Sequence, residues 1–431
     1  MEELSAIDVW LMVTAAMVLL MTPGLALFYG GMTRAKSALN MMMMSFISIA
    51  GVGVVWVLWG YSMSGATGVA QLFGNPFEYF GLSGAVGTAD LISIGFGATF
   101  AIITTALVSG AIADRAKFSA WCVFVPVWVT LVYCPLAFMV WGGGLLSEDG
   151  LVGGAVGEAI DYAGGTVVHI NAGVAALVLA LIIGQRKGFG KDPSQRPHNV
   201  PFVMLGAALL WFGWFGFNGG AAEDPVEAGL IWVNTMVTPA AAVIGWLVVE
   251  RIRDGRPTSL GAASGVVAGL VAITPACADV SPLGAILLGL VAGVLSAIAV
   301  GWKFKLGYDD SLDVVGVHLV AGVVGTLALG FLALDGGLFY GGGIGQLIAQ
   351  IVAAVIAIAY SAILTLIIGL IIHATIGFRI SESEEATGAD LTQHAETAYE
   401  FSTLGGGGGG GSSTAGAPDN GPVPSRDGVN T

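Results

Sequence analysis

The sequence is poor in charge. Of its 431 residues only 10% are Asp, Glu, Lys or Arg, against about a quarter in a soluble domain. Cysteine is nearly absent: Cys122, Cys134 and Cys277 lie in or beside apolar stretches and form neither a disulfide framework nor a zinc pattern. A net charge of −14 argues against a nucleic-acid partner, which calls for a basic surface. No basic segment precedes the first apolar stretch, which follows Glu2, Glu3 and Asp8, so it reads as a span rather than a secretory signal.

What the chain does have is apolar length. Hydrophobic residues make up 55% of it, and mean hydropathy is +0.85. Stretches of about 20 apolar residues, enough to cross a bilayer, recur at 8–29, 39–62, 89–112, 118–140, 164–184, 199–218, 228–249, 259–275, 281–302, 312–334 and 343–373. Glycine is abundant, at 67 residues. Gly261, Gly265 and Gly269 are spaced by four, as are Gly289 and Gly293, the pattern of closely packed membrane helices.

The basic residues test the span count independently. Arg34 and Lys36, Arg115 and Lys117, Arg186 to Arg196, Arg251 to Arg256, and Lys303 and Lys305 occupy the odd connections, and Arg379 follows the last span. The even connections carry no Lys or Arg, but Glu78, Glu148, Glu158, Asp224, Asp279 and Asp335 among their acids. Cytoplasmic connections are the basic ones. The expectation is an all-α integral membrane protein of the cell membrane, multi-pass, with eleven transmembrane helices, its N-terminus outside and its C-terminus inside.

A repeat divides these spans. Val168-His169-Ile170-Asn171-Ala172-Gly173-Val174 in span five matches Val317-His318-Leu319-Val320-Ala321-Gly322-Val323 in span ten. Five spans per repeat invert the second copy, which predicts two inverted five-helix repeats plus one extra helix, with a substrate path near the midplane between them. Residues 1–378 then form the membrane domain and 379–403 a cytoplasmic C-terminal segment. Residues 404–431, rich in Gly, Ser and Pro, are expected to be disordered.

Ionisable residues inside spans are costly and mark a pathway or relay. Of the five histidines only His169 and His318 sit deep within spans. A single such histidine is more readily structural. A pair at matched positions of opposed halves points instead to a metal or haem site, a proton relay, or a polar line through an apolar pore. No further ligand lies deep enough to complete a metal set, so no cofactor is expected. Phe96 and Phe100 share one face of span three, Trp141 ends span four, and Trp214 and Phe217 lie late in span six. Aromatic faces attract cations, although Trp141 and Trp214 equally suit an interfacial belt. Asp161, just before span five, suits either a helix cap or an ion ligand.

At these residues the chain resembles the ammonium transporter (Amt/Rh) family, nearer its Amt branch. The motifs are Thr22-Pro23-Gly24-Leu25-Ala26-Leu27-Phe28-Tyr29-Gly30-Gly31, Asp161-Tyr162-Ala163-Gly164-Gly165-Thr166-Val167-Val168-His169, Gly213-Trp214-Phe215-Gly216-Phe217-Asn218 and Asp309-Asp310-Ser311-Leu312-Asp313-Val314-Val315-Gly316-Val317-His318. The resemblance implies a homotrimer, not an enzyme, with one pore per subunit for ammonium or ammonia, methylammonium being a candidate analogue. It assigns Trp141, Phe100 and Asp161 to an outer recruitment site, Phe100 and Phe217 to a gate, His169 and His318 to the pore, and Phe96 and Trp214 to support. It also implies a PII-type regulator at the C-terminal segment. Two departures stand out: Ala221 replaces a serine common in relatives, and Gly97 replaces a polar residue. An ammonium sensor signalling through its tail is the alternative reading.

Overall fold

The computed structural model describes residues 4–191 and 196–399. Among them, eleven helices are long and apolar enough to cross a membrane. They are α1 (Ala6–Met32), α2 (Ala35–Gly65), α3 (Asp90–Ile112), α4 (Phe118–Trp141), α5 (Gly165–Ile183), α6 (Val200–Gly219), α7 (Pro225–Arg253), α8 (Ser259–Ala276), α9 (Pro282–Leu306), α10 (Val315–Leu332) and α11 (Gly345–Thr375). The expected disordered tail, 404–431, lies outside the described residues. Below, the face bearing the acidic even connections is termed outer and the basic face inner.

Helix starts follow from local chemistry. Ser5 and Asp8 form a reciprocal capping box before α1. Asn199, Asp224, Thr258 and Ser281 each accept a backbone N–H from the first turn of α6, α7, α8 and α9. These bonds satisfy amide groups that a helix leaves unpaired at its N-terminus. At 31 residues, α11 extends about 46 Å, longer than a hydrocarbon core of about 30 Å, and such a helix is accommodated by tilting.

The two halves share irregularities as well as helices. α3 and α8 both end in a 3₁₀ turn, at Ser109–Ile112 and Thr274–Ala276. Just beyond them, Ala116 bridges to Arg379 and Val280 to Ala333. α5 and α10 both open with a π turn, at Gly165–Ile170 and Val315–Val320. α1 lies along α6, α5 against α10, and α11 braces α5 and α10 from outside the repeat. The glycine spacing has the anticipated use: a Cβ at Gly289 or Gly293 would lie 2.2 Å from the Thr238 carbonyl or 2.1 Å from that of Ala242. α7 and α9 therefore meet backbone to backbone.

The inner face is tied by buried charge. Arg186 pairs with Asp309 at 2.8 Å and Asp114 at 3.0 Å, and Arg34 approaches Asp114 at 3.4 Å. Arg115 donates to Ser311 Oγ and the Asp309 carbonyl, both at 2.6 Å. Burial alone would raise the Asp114 carboxyl, but Arg186 and Arg34 outweigh it and hold it below the usual range; Asp309 is likewise held down by Arg186 and Arg115. The segment after α11 joins this layer through α12 (Glu382–Thr387) and α13 (Ala389–His394). Buried Glu385 accepts from Arg379 at 2.8 Å and from the Lys187 amide at 2.8 Å. Asp390 accepts the amides of Leu39 and Asn40 at 3.1 and 2.8 Å.

Arg186→Met should leave Asp114 and Asp309 buried without their main partner and destabilise the fold by roughly 3–5 kcal/mol. Thermal unfolding in detergent measures this. Because both carboxyls are depressed, their contribution is complete above about pH 4 and is lost as pH falls through their lower folded values. The gap between wild type and variant should therefore narrow in acid.

Candidate functional site

The twin histidines are placed by the π turns. An i→i+5 turn inserts one residue into the helical register, a device frequent at functional positions. Here it carries His169 at the start of α5 and His318 at the start of α10, both buried. Their Nδ1 atoms lie 3.3 Å apart and the rings nearly parallel, at 26°. One Nδ1 must donate and the other accept, so a single proton lies between the rings. Glycines allow this approach. A Cβ at Gly173 would sit 2.5 Å from the Leu319 amide nitrogen, and one at Gly322 would sit 3.1 Å from the His169 Cβ.

An aromatic column continues from the pair toward the outer face. Trp214 stacks on His169 at 5.5 Å and is fixed by its indole N–H, which donates to Thr274 Oγ1 at 2.8 Å. Phe217 lies 6.2 Å from His169 and stacks on Phe100 at 4.1 Å and 16°. Phe96 meets Phe100 edge to face at 4.9 Å, and Trp141 stands perpendicular to Phe100 at 6.2 Å. Beside the histidines the free space is only about 10 Å³, lined by His169, His318, Phe217, Leu25, Ile103 and Leu107, close to the least that holds one water. Above the stacked phenylalanines a cavity of about 540 Å³ opens, bounded by Phe96, Phe100, Trp141, Tyr162, Phe217 and Ala221.

Asp161 does not line that cavity. Its carboxylate accepts from the amides of Gly164, Gly165, Thr166 and Val167 and from the Thr166 hydroxyl. Burial pushes its carboxyl up while these donors pull it back. The cap geometry needs Gly164 at φ +112, where a Cβ would strike Val168 Cγ2 at 2.5 Å. The Asp161 carbonyl in turn accepts the Trp141 indole N–H at 2.8 Å. Asp161 thus reaches the outer cavity through the loop and Trp141. Ala221 offers no hydroxyl there, but Ser64, Ser93 and Tyr162 also border the cavity.

Two residues escaped the sequence reading. Trp56 forms one wall of the outer cavity and donates its indole N–H to Ile94 O at 2.9 Å; a Cβ at Gly97 would lie 3.0 Å from its ring. Nothing in the local sequence marks it. Asp310 was legible: it follows Asp161 by the 149 residues that separate the two histidines. One of its oxygens accepts the Val315 amide at 2.7 Å, at the foot of the α10 π turn, and the other is buried without an aligned hydrogen-bond partner among the described residues.

Eleven apolar helices around an aromatic funnel and a buried polar pair define a multi-pass membrane transport protein. The Ammonium Transporter Family model matches residues 9–399, and the chain belongs to that family. It is 51% identical to the ammonium transporter of Mycobacterium tuberculosis strain H37Rv, covering 92% of this chain and 91% of that one. It is 46% identical to the ammonium transporter of Aquifex aeolicus, covering 91% and 93%. The crystal structure of Saccharomyces cerevisiae Mep2 superposes with a TM-score of 0.81 at 33% identity, over 93% of this chain and 92% of that one. A structure described as a sensor Amt protein superposes at 0.83 with 28% identity, over 90% and 98%.

Gly173 lines none of the cavities described above, so Gly173→Val isolates helix approach from pore chemistry. Pushing α5 from α10 should break the ring-to-ring hydrogen bond and cost about 1–3 kcal/mol in overpacking. Ammonium-evoked flux in proteoliposomes should drop at least tenfold while the variant still elutes as a folded species.

Proposed function

We propose that the chain moves ammonium across the membrane by recruiting the ion in the outer aromatic cavity, removing a proton, and passing ammonia along the twin histidines. The observation that carries this reading is the unbroken column Trp141–Phe100–Phe217–His169–His318, with ring centroids 6.2, 4.1, 6.2 and 5.5 Å apart. A cation is favoured at its outer end, where aromatic faces contribute about 0.5–2 kcal/mol each. Below Phe217 the walls are apolar, and an ion there loses its hydration without compensation, at a cost far above that for a neutral molecule. Ammonia satisfies both requirements, because it accepts from one imidazole and donates to the other. Phe100 and Phe217 close the column in the observed conformation and act as its gate. Asp161 holds Trp141 in place, Phe96 supports Phe100, and Trp214 fixes the plane of His169.

The basic odd connections support an N-terminus outside and a C-terminus inside. The family resemblance supports a homotrimer, and the segment 379–398, laid against the inner connections, offers a surface for a PII-type regulator. Transport is favoured over sensing, because the relatives at 51% and 46% identity are named ammonium transporters.

His169→Ala should lower ammonium-evoked uptake into proteoliposomes by at least tenfold, and wild-type uptake in both single histidine variants refutes passage along the pair. Trp141→Ala should instead raise the half-saturating ammonium concentration about threefold to thirtyfold, from the loss of roughly 0.6–2 kcal/mol of cation attraction, leaving the maximal rate within twofold.

A further inference from the structure

The two aspartates related by the repeat are not equivalent. Asp161 spends both oxygens on its own loop, whereas Asp310 accepts the Val315 amide at Oδ2, has the Val314 amide beside its carboxyl, and keeps Oδ1 buried without an aligned hydrogen-bond partner among the described residues. Asp310 itself lines no cavity, but its neighbours border two spaces. On one side, the turn 310–314 packs under Tyr29: the Ser311 amide donates to Ala111 O at 3.2 Å, and a Cβ at Gly110 would meet Tyr29 Cζ at 2.6 Å and Val314 Cγ2 at 2.8 Å. The Tyr29 hydroxyl donates to Leu107 O at 3.0 Å, and Leu107 lines the narrow space beside the histidines. On the other side, Lys303, Ser311, Leu312 and Asp313 line an inner cavity of about 390 Å³. Lys303 donates to the Asp310 carbonyl at 2.9 Å and to Asp313 at 2.6 Å.

We propose that Asp310 is the inner proton acceptor of the pore, taking the proton removed from ammonium after it has crossed the histidine pair and releasing it to the inner cavity. The inference rests on the proposed deprotonation of ammonium at the outer end of the column, and adds that His169 and His318 relay the released proton. The balance is simple. One N–H bond of ammonium breaks at the outer end and ammonia enters the column. The proton passes through the imidazoles, an O–H bond forms at Asp310 Oδ1 by way of water, and that bond breaks again into inner solvent. Each ammonia is then accompanied by one positive charge, and both histidines and Asp310 return to their starting states.

Ionisable neighbours come from three elements: Tyr29 on α1, Lys303 on α9, and Tyr308 and Asp313 on the loop of Asp310 itself. Burial is the dominant influence and lifts the carboxyl to about 6; Lys303 opposes it and Asp313 adds to it. The carboxylate is the accepting form. It predominates above about pH 6 and is lost below it.

The test compares wild type, Asp310→Asn, Asp310→Glu and His169→Ala as full chains in proteoliposomes at equal pH on both sides and fixed ammonium. In wild type the current should fall several-fold between pH 7 and pH 5. Asp310→Asn should lose at least tenfold of the current at pH 7 and flatten the profile. Asp310→Glu, which keeps a titratable carboxyl, should restore current with a displaced midpoint. Wild-type current and profile in Asp310→Asn overturn the inference, as does a common loss in Asn and Glu variants accompanied by a lowered melting temperature. Normal current in His169→Ala together with a loss in Asp310→Asn refutes the histidine relay separately.

Discussion

The structure depends on one hydrogen bond between two buried rings in an apolar interior. Burying an imidazole without a partner costs several kcal/mol, and the pair shares that burden by each supplying what the other lacks. The geometry is narrow: 3.3 Å between Nδ1 atoms is reached only where α5 and α10 come within a glycine's thickness of each other. The π turns set the facing of each ring, and Gly173 and Gly322 set the spacing. The motif V-H-x-x-A-G-V therefore reads as one device. Histidine provides the bond, and the glycine four residues on, about one turn along the helix, removes bulk that would clash with the facing helix at Gly173 and crowd it at Gly322.

Much of this was legible because hydropathy and charge act over many residues. Eleven spans followed from apolar length and from the alternation of basic and acidic connections, and the structure moves their ends by only a few residues, as at α1, which begins at Ala6 rather than residue 8. The repeat was legible because it preserves residue type. Asp310 could have been found the same way, by extending the match eight residues upstream of each histidine. What could not be read were contacts made by distant side chains. Trp56 reaches the outer cavity only because Ile94 holds its indole and Gly97 leaves room. For Asp161, both the cap and the ion ligand were compatible with sequence, and only the positions of the amides at 164–167 separate the two.

The basic residues have two tasks that the sequence presents as one. As flanks of spans they mark a face of the membrane, which needs only their sign and position. Arg115 and Arg186, however, are buried, and their partners Asp309 and Asp114 belong to different connections. Such a layer fixes the ends of α3, α5 and α10 relative to one another. Because Asp309 precedes Asp310 and the α10 π turn, the same layer also positions His318. Glu385 extends it to the segment after α11 through Arg379 and the Lys187 amide. The contribution of this layer is geometric: a buried ion pair adds little net stability, but losing one member leaves a charge stranded.

Selectivity follows, under the proposed function, from what the column withholds. The outer cavity offers aromatic faces and a few hydroxyls, which do not distinguish ammonium sharply from an alkali cation of similar radius. Discrimination arises below Phe217, where about 10 Å³ of free space and apolar walls leave no room for a hydration shell. An alkali cation must enter that space charged. Ammonium, unlike an alkali cation, can leave its charge behind as a proton, and the imidazole pair offers a group able to receive one. The stacked Phe100 and Phe217 preserve this logic by keeping bulk water from the rings, since a wet column would hydrate any cation and remove the penalty that separates them. A gate of two phenyl rings therefore acts as part of the filter, and its closed state is what makes proton loss the condition of entry.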